Sequence, residues 1–472
     1  MSDRPQIKFG TDGWRAIIAD DFTFANVRAC AEAVARNLIA SGRSRNGLVI
    51  GFDTRFGSQR FAKAVADVVN GFGIATQTFD VAAPTPACSF AVVNQSAANG
   101  VMITASHNPS EWNGFKVKSE AGGSASPEEI ANIELHLADV LDGKSSYSGT
   151  HVAQGQVFDV IGPYLEQLHR VIDVGPIKSQ RLTVVVDAMH GCGAGIISKM
   201  LAGGAIEVIE IRSDPNPNFP GMDQPEPIAQ NLHQLSDAVR ETGAAVGIAL
   251  DGDADRVGII DENGNYFTTL EVFSLLTDHF MGRRNQKGGV ACTITMSSMV
   301  DKLSSHYGAP VYRTPVGFKY VGPTMIENDC SMGGEESGGY AFKGHVPERD
   351  GALSGLLFLQ AMFMSGKKPT ELLIDLHALV GPHTFRRIDI SYDESLRSDL
   401  AEKVASAQPA SLGGLTVESD NRRDGVHFDL AGGSWAVARM SGTEPLLRIY
   451  AETPDDDTLE AVLVDLRAVL RA

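Results

Sequence analysis

ANVRACAEAVARNLIA, residues 25–40, leads into GLVIGFD, residues 47–53, and this pair decides the fold. The first spaces its apolar residues at helical intervals, while the second is a short apolar run that reads as a buried strand. A second helix is expected near 58–71 and a second strand at GVMIT, 100–104, which opens into a polar loop. Strand and helix in alternation imply a sheet with helices on its faces. Working outward, LTVVVDAMHGCGAG (182–195) repeats the strand-loop-helix order, and AAVGIALDGDADRVGIIDENG (244–264) reads as strand, loop, strand. VACTITM (290–296) supplies a strand to a third unit, so the three units have the look of distant versions of one design. From about residue 381 the rhythm changes. Short strands at FRRIDISY, VHFDLA, SWAVARM and LLRIYAE precede one amphipathic helix, DTLEAVLVDLRAVL, residues 457–470.

A chain of 472 residues is too long for one core. At about 150 residues per domain it divides into three or four. The expected class is α/β: three α/β domains with mixed sheets flanked by helices, at 1–150, 151–262 and 263–380, then a smaller α+β domain at 381–472. The first boundary follows a stretch rich in Gly and Ser that runs to residue 149. Apolar content of 43% and charged content of 21% are those of a globular protein. The net charge of -18, with no Lys/Arg run to offset it, argues against a nucleic-acid partner and requires any phosphate site to be locally basic. Five scattered cysteines form no CxxC pair and no disulfide framework. The start, MSDRPQIKFGTDGW, lacks an apolar leader, and no run approaches ~18 apolar residues, so no membrane partner and a cytoplasmic location are expected.

Six segments carry more polar groups than connections need. TASHNPSEWNGFKVK (104–118) follows a strand, and Ser106 is a candidate nucleophile or phosphoryl carrier, although a Ser-His-Asn-Pro turn accounts for the segment equally well. His107 is poorly placed as a base for Ser106 if the backbone is extended, because adjacent side chains then point apart. In ALDGDADR (249–256), Asp251, Asp253 and Asp255 alternate with small residues, which on an extended loop aims three carboxylates at one point. Such a trio needs a hard cation. Mg2+ is favoured over Ca2+, because the sixth EF-hand position holds Arg256 and the flanks are strands, while a solvated acidic turn is the plain alternative. Arg256 is then near enough to take a phosphate oxygen.

TPVGFKYVGP (314–323) and GGEESGGY (333–340) read as glycine-flanked loops. Glu335 and Ser337 suit vicinal sugar hydroxyls and Lys319 suits a phosphate, with a Gly-rich surface turn as the alternative. RMSGTEPLLR (439–448) reads as strand, tight turn, strand, where Arg439, Ser441, Gly442 and Thr443 offer a phosphate nest or else an ordinary hairpin. FGTDGWR (9–15) adds Arg15 on a glycine-containing loop.

Taken in order, TDGWR, TASHNPSEWNGFK, DGDADR, GEESGG and RMSGTEP resemble the α-D-phosphohexomutase family over essentially the whole chain. The resemblance implies four domains around a central cleft, and a serine, Ser106, that is phosphorylated at rest. It implies that Asp251, Asp253, Asp255 and a phosphoserine oxygen hold Mg2+. Arg15, His107 and Lys116 would surround the phosphoserine, with Lys116 as the general acid/base candidate. Glu335 and Ser337 would bind sugar hydroxyls, and Arg439, Ser441, Gly442 and Thr443 the phosphate that is not transferred. Some bacterial mannose/glucose mutases carry a His where this chain has Gly339; TPVGFK and GEESGG look closer to glucose-type members.

The implied reaction converts hexose 1-phosphate to hexose 6-phosphate, glucose ahead of mannose, with hexose 1,6-bisphosphate as intermediate and activator. Small sugar phosphates are then the partners of a monomer or homodimer. Three other readings remain open: a hexose 1,6-bisphosphate synthase using the same Ser106, a phosphoglucosamine mutase, and a non-catalytic sugar-phosphate sensor. A base role for Lys116 would require its pKa to fall well below ~10.4.

Overall fold

The computed structural model describes residues 7–10, 12–145, 152–442 and 445–471. Thr23 accepts the backbone N–H of Asn26 and so starts the helix Phe24–Ala40, whose apolar stripe of Val27, Cys30, Val34 and Leu38 is buried. Leu48–Phe52 follows as a strand buried at every residue, as a central strand covered by helices on both faces must be. The helix Ser58–Gly71 and the strand Asn99–Ile103 complete the rhythm read from the sequence.

Four sheets result. The first runs Trp14–Ile17, Trp112–Lys118, Asn99–Ile103, Leu48–Phe52, Thr76–Phe79, Gly155–Phe158. The second runs Tyr266–Phe267, Val257–Ile260, Val246–Leu250, Thr183–Asp187, Glu207–Ile211, and the third Val311–Thr314, Val290–Thr293, Met332–Gly334, Tyr340–Phe342. Two strands fall outside the expected divisions. Gly155–Phe158 pairs in the first sheet although it lies beyond residue 150, and Tyr266–Phe267 pairs in the second although it lies beyond 262.

The first three sheets share one device. In each, parallel strands end in one that turns back antiparallel: Asn99–Ile103 to Trp112–Lys118, Val246–Leu250 to Val257–Ile260, and Met332–Gly334 to Tyr340–Phe342. The connecting loops are TASHNPSE, DGDADR and EESGG. Each therefore leaves the carboxyl end of a strand, where open α/β sheets place their ligands. The fourth sheet, from Thr384–Ser391 through Ser434–Met440 and Leu446–Thr453, is wholly antiparallel and packs on the helix Asp456–Leu470. Its hairpin Ser434–Met440 to Leu446–Thr453 carries the segment that begins SG at residue 441.

One apolar cluster runs through the first three units and takes in Trp435, Val437 and Tyr450 of the fourth sheet; the helix Gly351–Ser365 within it is capped by Asp350 and ended by Gly366 at φ +68°. Leu353, Leu356, Leu357 and Phe358 on that helix are fully buried. Each stabilises the assembly by about 1.5–3 kcal/mol. One expected loop is a helix. Residues after Gly317 form Phe318–Glu327, with Pro323 inside it. Proline removes a single N–H and marks a helix as broken, but here packing of Phe318, Val321 and Met325 in an apolar cluster outweighs that cost. The five cysteines are buried free thiols. Among the described residues, no helix is long and apolar enough to cross a membrane.

Candidate active site

Ser106 follows the strand Asn99–Ile103 and takes a left-handed backbone, φ +51°. Arg55 holds it there. The buried guanidinium of Arg55 donates to the carbonyls of Ser106 (2.6 Å), Asn108 (2.5 Å), Pro109 (2.7 Å) and Trp112 (3.1 Å), and lies over the Phe219 ring. Because the backbone is not extended, the two neighbouring side chains do not point apart, contrary to expectation: Ser106 Oγ is 3.3 Å from His107 Nδ1. The same hydroxyl donates to Asp251 Oδ2 at 2.9 Å. First burial, then the cations Arg256, Arg15, Lys116 and Arg349, hold the His107 pKa well below its usual value, so the imidazole is neutral.

The aspartates converge, but through a tight turn rather than an alternating extended loop. Ala254 has φ +55° and donates its N–H to Asp251 O, while the N–H groups of Asp255 and Arg256 both donate to Asp251 Oδ1. One oxygen from each of Asp251, Asp253 and Asp255 lies within 4.8 Å of the others, and all three residues are fully buried. Burial first, then Asp253 and Asp255, push the Asp251 carboxyl well above its usual range. Asp253 goes the other way: burial opposes its ionisation, but Lys116 and Thr85 outweigh it. Asp253 Oδ1 and Asp255 Oδ1 are buried with no hydrogen-bond partner among the described residues. Unpaired buried carboxylate oxygens are costly, and all-oxygen donors of this kind fit a hard divalent cation such as Mg2+.

Lys116, on Trp112–Lys118, is fully buried with Nζ 2.7 Å from Asp12, 2.8 Å from Asp253 and 3.4 Å from Asp255. Burial would lower its pKa, yet these three carboxylates raise it above the usual value. The side chain is an ammonium in this arrangement, not the depressed amine that a base requires. Arg15 donates to Asn108 Oδ1 at 2.6 Å and lies 3.8 Å from Asp12. Arg256 is committed to Glu226 at 2.7 Å, so a phosphate oxygen would have to displace that partner.

Glu335 accepts the Gly317 N–H at 2.9 Å through Oε1 and lies 3.4 Å from Arg349 through Oε2. Burial, against the pull of Arg349, raises its pKa from 4.5 to about 7. The folded protein therefore retains a proton there that the unfolded chain has released between about pH 4.5 and 7, and stability falls as pH rises across that window. Ionised above pH 7, Glu335 is the stronger hydrogen-bond acceptor, the state that best suits the sugar-hydroxyl role implied for it by the family resemblance. KM for a hexose phosphate is thus expected to fall as pH rises through 7, and Glu335→Gln to flatten that limb; an unchanged profile in the variant would exclude Glu335 as its source.

Ser337 Oγ is buried without a partner among the described residues. Lys319 lines a cavity of about 200 Å³ beside Asp12 and Gly13. On the fourth sheet, Arg439 Nε lies 3.2 Å from Asp424, whose carboxylate also takes the Val316 N–H at 3.0 Å, joining this hairpin to the third unit. Ser441 is buried, and Gly442 is exposed with nothing within 4 Å of where a Cβ would stand. Thr443 lies outside the described residues.

Sequence reasoning singled out neither Asp12, Arg55 nor Arg349, which together bind the polar network. Asp12 stood inside FGTDGWR, and its neighbour Gly13 was a usable signal; PERDG around Arg349 offered none.

Comparison with known proteins places these parts in a family. The phosphoglucomutase/phosphomannomutase alpha/beta/alpha domains I, II and III match residues 6–142, 162–264 and 269–379, and the C-terminal domain of the same family matches 396–469. A phosphoglucomutase/phosphomannomutase of Thermococcus kodakarensis is 33% identical over 450 residues, 95% of each chain. A phosphoglucosamine mutase of Rhodospirillum rubrum is 29% identical over 470 residues, 98% of each chain. A crystal structure from Thermus thermophilus, provisionally described as a phosphomannomutase, superposes with a TM-score of 0.86 at 32% identity over 100% of both chains. With four domain matches in sequence order and relatives alike from end to end, the chain belongs to the phosphoglucomutase/phosphomannomutase family, the α-D-phosphohexomutases.

Proposed function

We propose that this protein interconverts hexose 1-phosphate and hexose 6-phosphate, glucose before mannose, by way of phosphorylated Ser106 and a hexose 1,6-bisphosphate. The observation that carries the reading is the bond from Ser106 Oγ to Asp251 at 2.9 Å, which sets a carrier hydroxyl against a buried carboxylate trio. Phospho-Ser106 gives its phosphoryl group to the free hydroxyl of the sugar phosphate: the bond from phosphorus to Ser106 Oγ breaks as one to the sugar oxygen forms, and the proton that the sugar hydroxyl gives up is balanced by the one that Oγ takes on leaving. The bisphosphate turns over, and its other phosphoryl group returns to Ser106. When Oγ accepts it, the departing proton has two acceptors in reach, Asp251 Oδ2 and His107 Nδ1. Mg2+ held by Asp251, Asp253 and Asp255 would supply charge neutralisation at the phosphoryl oxygens. Arg15 and the ammonium of Lys116 add fixed positive charge, and Glu335 and Ser337 hold the sugar. The segment beginning Arg439 to Gly442 binds the phosphate that stays.

Ser106 is 1% exposed, so water has little access to its hydroxyl in this arrangement, and keeping water out is what holds a mutase back from acting as a phosphatase. The test supplies purified protein with glucose 1-phosphate and a trace of glucose 1,6-bisphosphate. Sustained formation of glucose 6-phosphate supports the mutase; formation that stops when the trace is consumed points to bisphosphate transfer alone. A second substrate, glucosamine phosphate, is favoured by the name of the Rhodospirillum relative. Comparing kcat/KM for glucose, mannose and glucosamine 1-phosphates ranks the three.

A further inference from the structure

Arg349 lies in PERDG, residues 347–351, where three successive charged side chains reach three parts of the fold. Glu348 takes Lys118 Nζ at 2.6 Å, with both side chains fully buried. Asp350 caps the helix Gly351–Ser365 and accepts the Tyr164 hydroxyl at 2.7 Å. Arg349 turns toward the carrier serine's surroundings. Its Nη2 donates to Asp255 Oδ2 at 2.7 Å and to Asp12 Oδ2 at 2.8 Å, and its Nη1 lies 3.4 Å from Glu335 Oε2. One buried guanidinium thus touches a member of the aspartate trio and the carboxylate of the sugar loop. Pinning Asp255 Oδ2 fixes the plane of that carboxylate and leaves Oδ1, which has no hydrogen-bond partner among the described residues and lies 4.0 Å from Arg256 Nε, as the oxygen available to ligate.

Gly339 provides a second, independent observation. Its φ is not in the left-handed region, so its backbone does not call for glycine, yet a Cβ there would stand 2.2 Å from Arg349 Cδ and 2.8 Å from Cγ. The space at the end of the sugar loop belongs to the arginine.

We infer that Arg349 is a positioning residue that orients Asp255 for the cation and Glu335 for the sugar through one side chain, with Gly339 clearing its path. The sugar half rests on the phosphohexomutase reading; the cation half rests on the aspartate trio alone. A planar fork holding two carboxylates at once is a task that a lysine point charge does not reproduce. Partners that orient metal ligands typically matter by roughly 10–100-fold in metal affinity.

The experiment uses the full-length protein with Mn2+ as the probe, free Mn2+ being read from its EPR signal without sugar present. Arg349→Lys keeps the charge and loses the fork, whereas Gly339→Ala keeps Arg349 and pushes it aside. Both are expected to weaken Mn2+ binding by about 10–100-fold and to raise KM for glucose 1-phosphate. A packing role alone would lower Tm and leave Mn2+ affinity of the folded protein as it was. Native affinity in either folded variant overturns the inference, and so does native protein that binds no Mn2+. Should the native protein bind Mn2+, the variants lose it, and the native protein still turn over no sugar phosphate, the cation half stands while the sugar half falls with the assigned activity.

Discussion

Replacing Ser106 by alanine is expected to give a folded protein whose turnover falls by roughly 10^4–10^6-fold, the scale on which loss of a covalent nucleophile acts. The fold survives because the hydroxyl contributes little to it. Its bond to Asp251 is worth about 0.5–1.5 kcal/mol net, and the loop conformation is imposed by Arg55 on four carbonyls rather than by the serine side chain. Intact-mass measurement is the direct check. Native protein incubated with glucose 1,6-bisphosphate should carry one added phosphate, and Ser106→Ala none. A phosphate retained by the alanine variant would move the carrier elsewhere, and turnover within tenfold of native would end the covalent route.

Lys116→Met should have the second largest effect, and it acts on stability as well as rate. Nζ stands among Asp12, Asp253 and Asp255, all three carboxylates within 3.4 Å. Arg349 still serves Asp12 and Asp255 in the variant, whereas Asp253 Oδ2 loses its cationic partner and keeps the Thr85 hydroxyl at 2.6 Å. Breaking a buried pair by removing one partner costs about 3–5 kcal/mol. In EDTA the first melting transition should therefore fall by roughly 10 °C. A divalent cation that binds the buried trio, now short of one cationic partner, stabilises the folded form in proportion to RT ln(1 + [L]/Kd), so millimolar Mg2+ should restore much of the loss. Turnover should stay down by roughly 10^2–10^3-fold, since a fixed cation aimed at developing charge is missing. Melting curves that fall equally with and without Mg2+ would show that the trio does not take the ion.

The parts that were legible in the sequence are those that lie within one strand-loop-strand unit. Apolar runs such as Val246–Leu250 and Val257–Ile260 announce their strands, and what separates them, Asp251 to Arg256, is then visible as a loop rich in carboxylate. Local conformation was harder. Ser106 and Ala254 both take positive φ without being glycine, so no residue type signalled that Ser106 would face His107 or that the aspartates would meet through a turn. Pro323 concealed the helix Phe318–Glu327. Least legible were partners distant in the chain. Arg349 meets Asp12 across 337 residues, and Lys118 meets Glu348 across 230; as sequence, each is an ordinary charged residue expected to face water. The reversal in Lys116 has the same origin. Its three carboxylates come from two separate segments, and only their assembly decides which way burial and charge are balanced.

The layout of hairpins also limits how the chain can be cut. Asp12 contacts Lys116 at one end of the sequence, and Gly442 stands exposed at the other, with one tool on each of four sheets between them. No excised fragment can therefore keep all of these segments, and a proteolytic clip that frees the fourth sheet takes Arg439 and Ser441 away while sparing the aspartate trio. The hairpins are not independent of one another: Arg349 ties Glu335 to Asp12 and Asp255, so a change within residues 335–339 is felt at the aspartate trio as well.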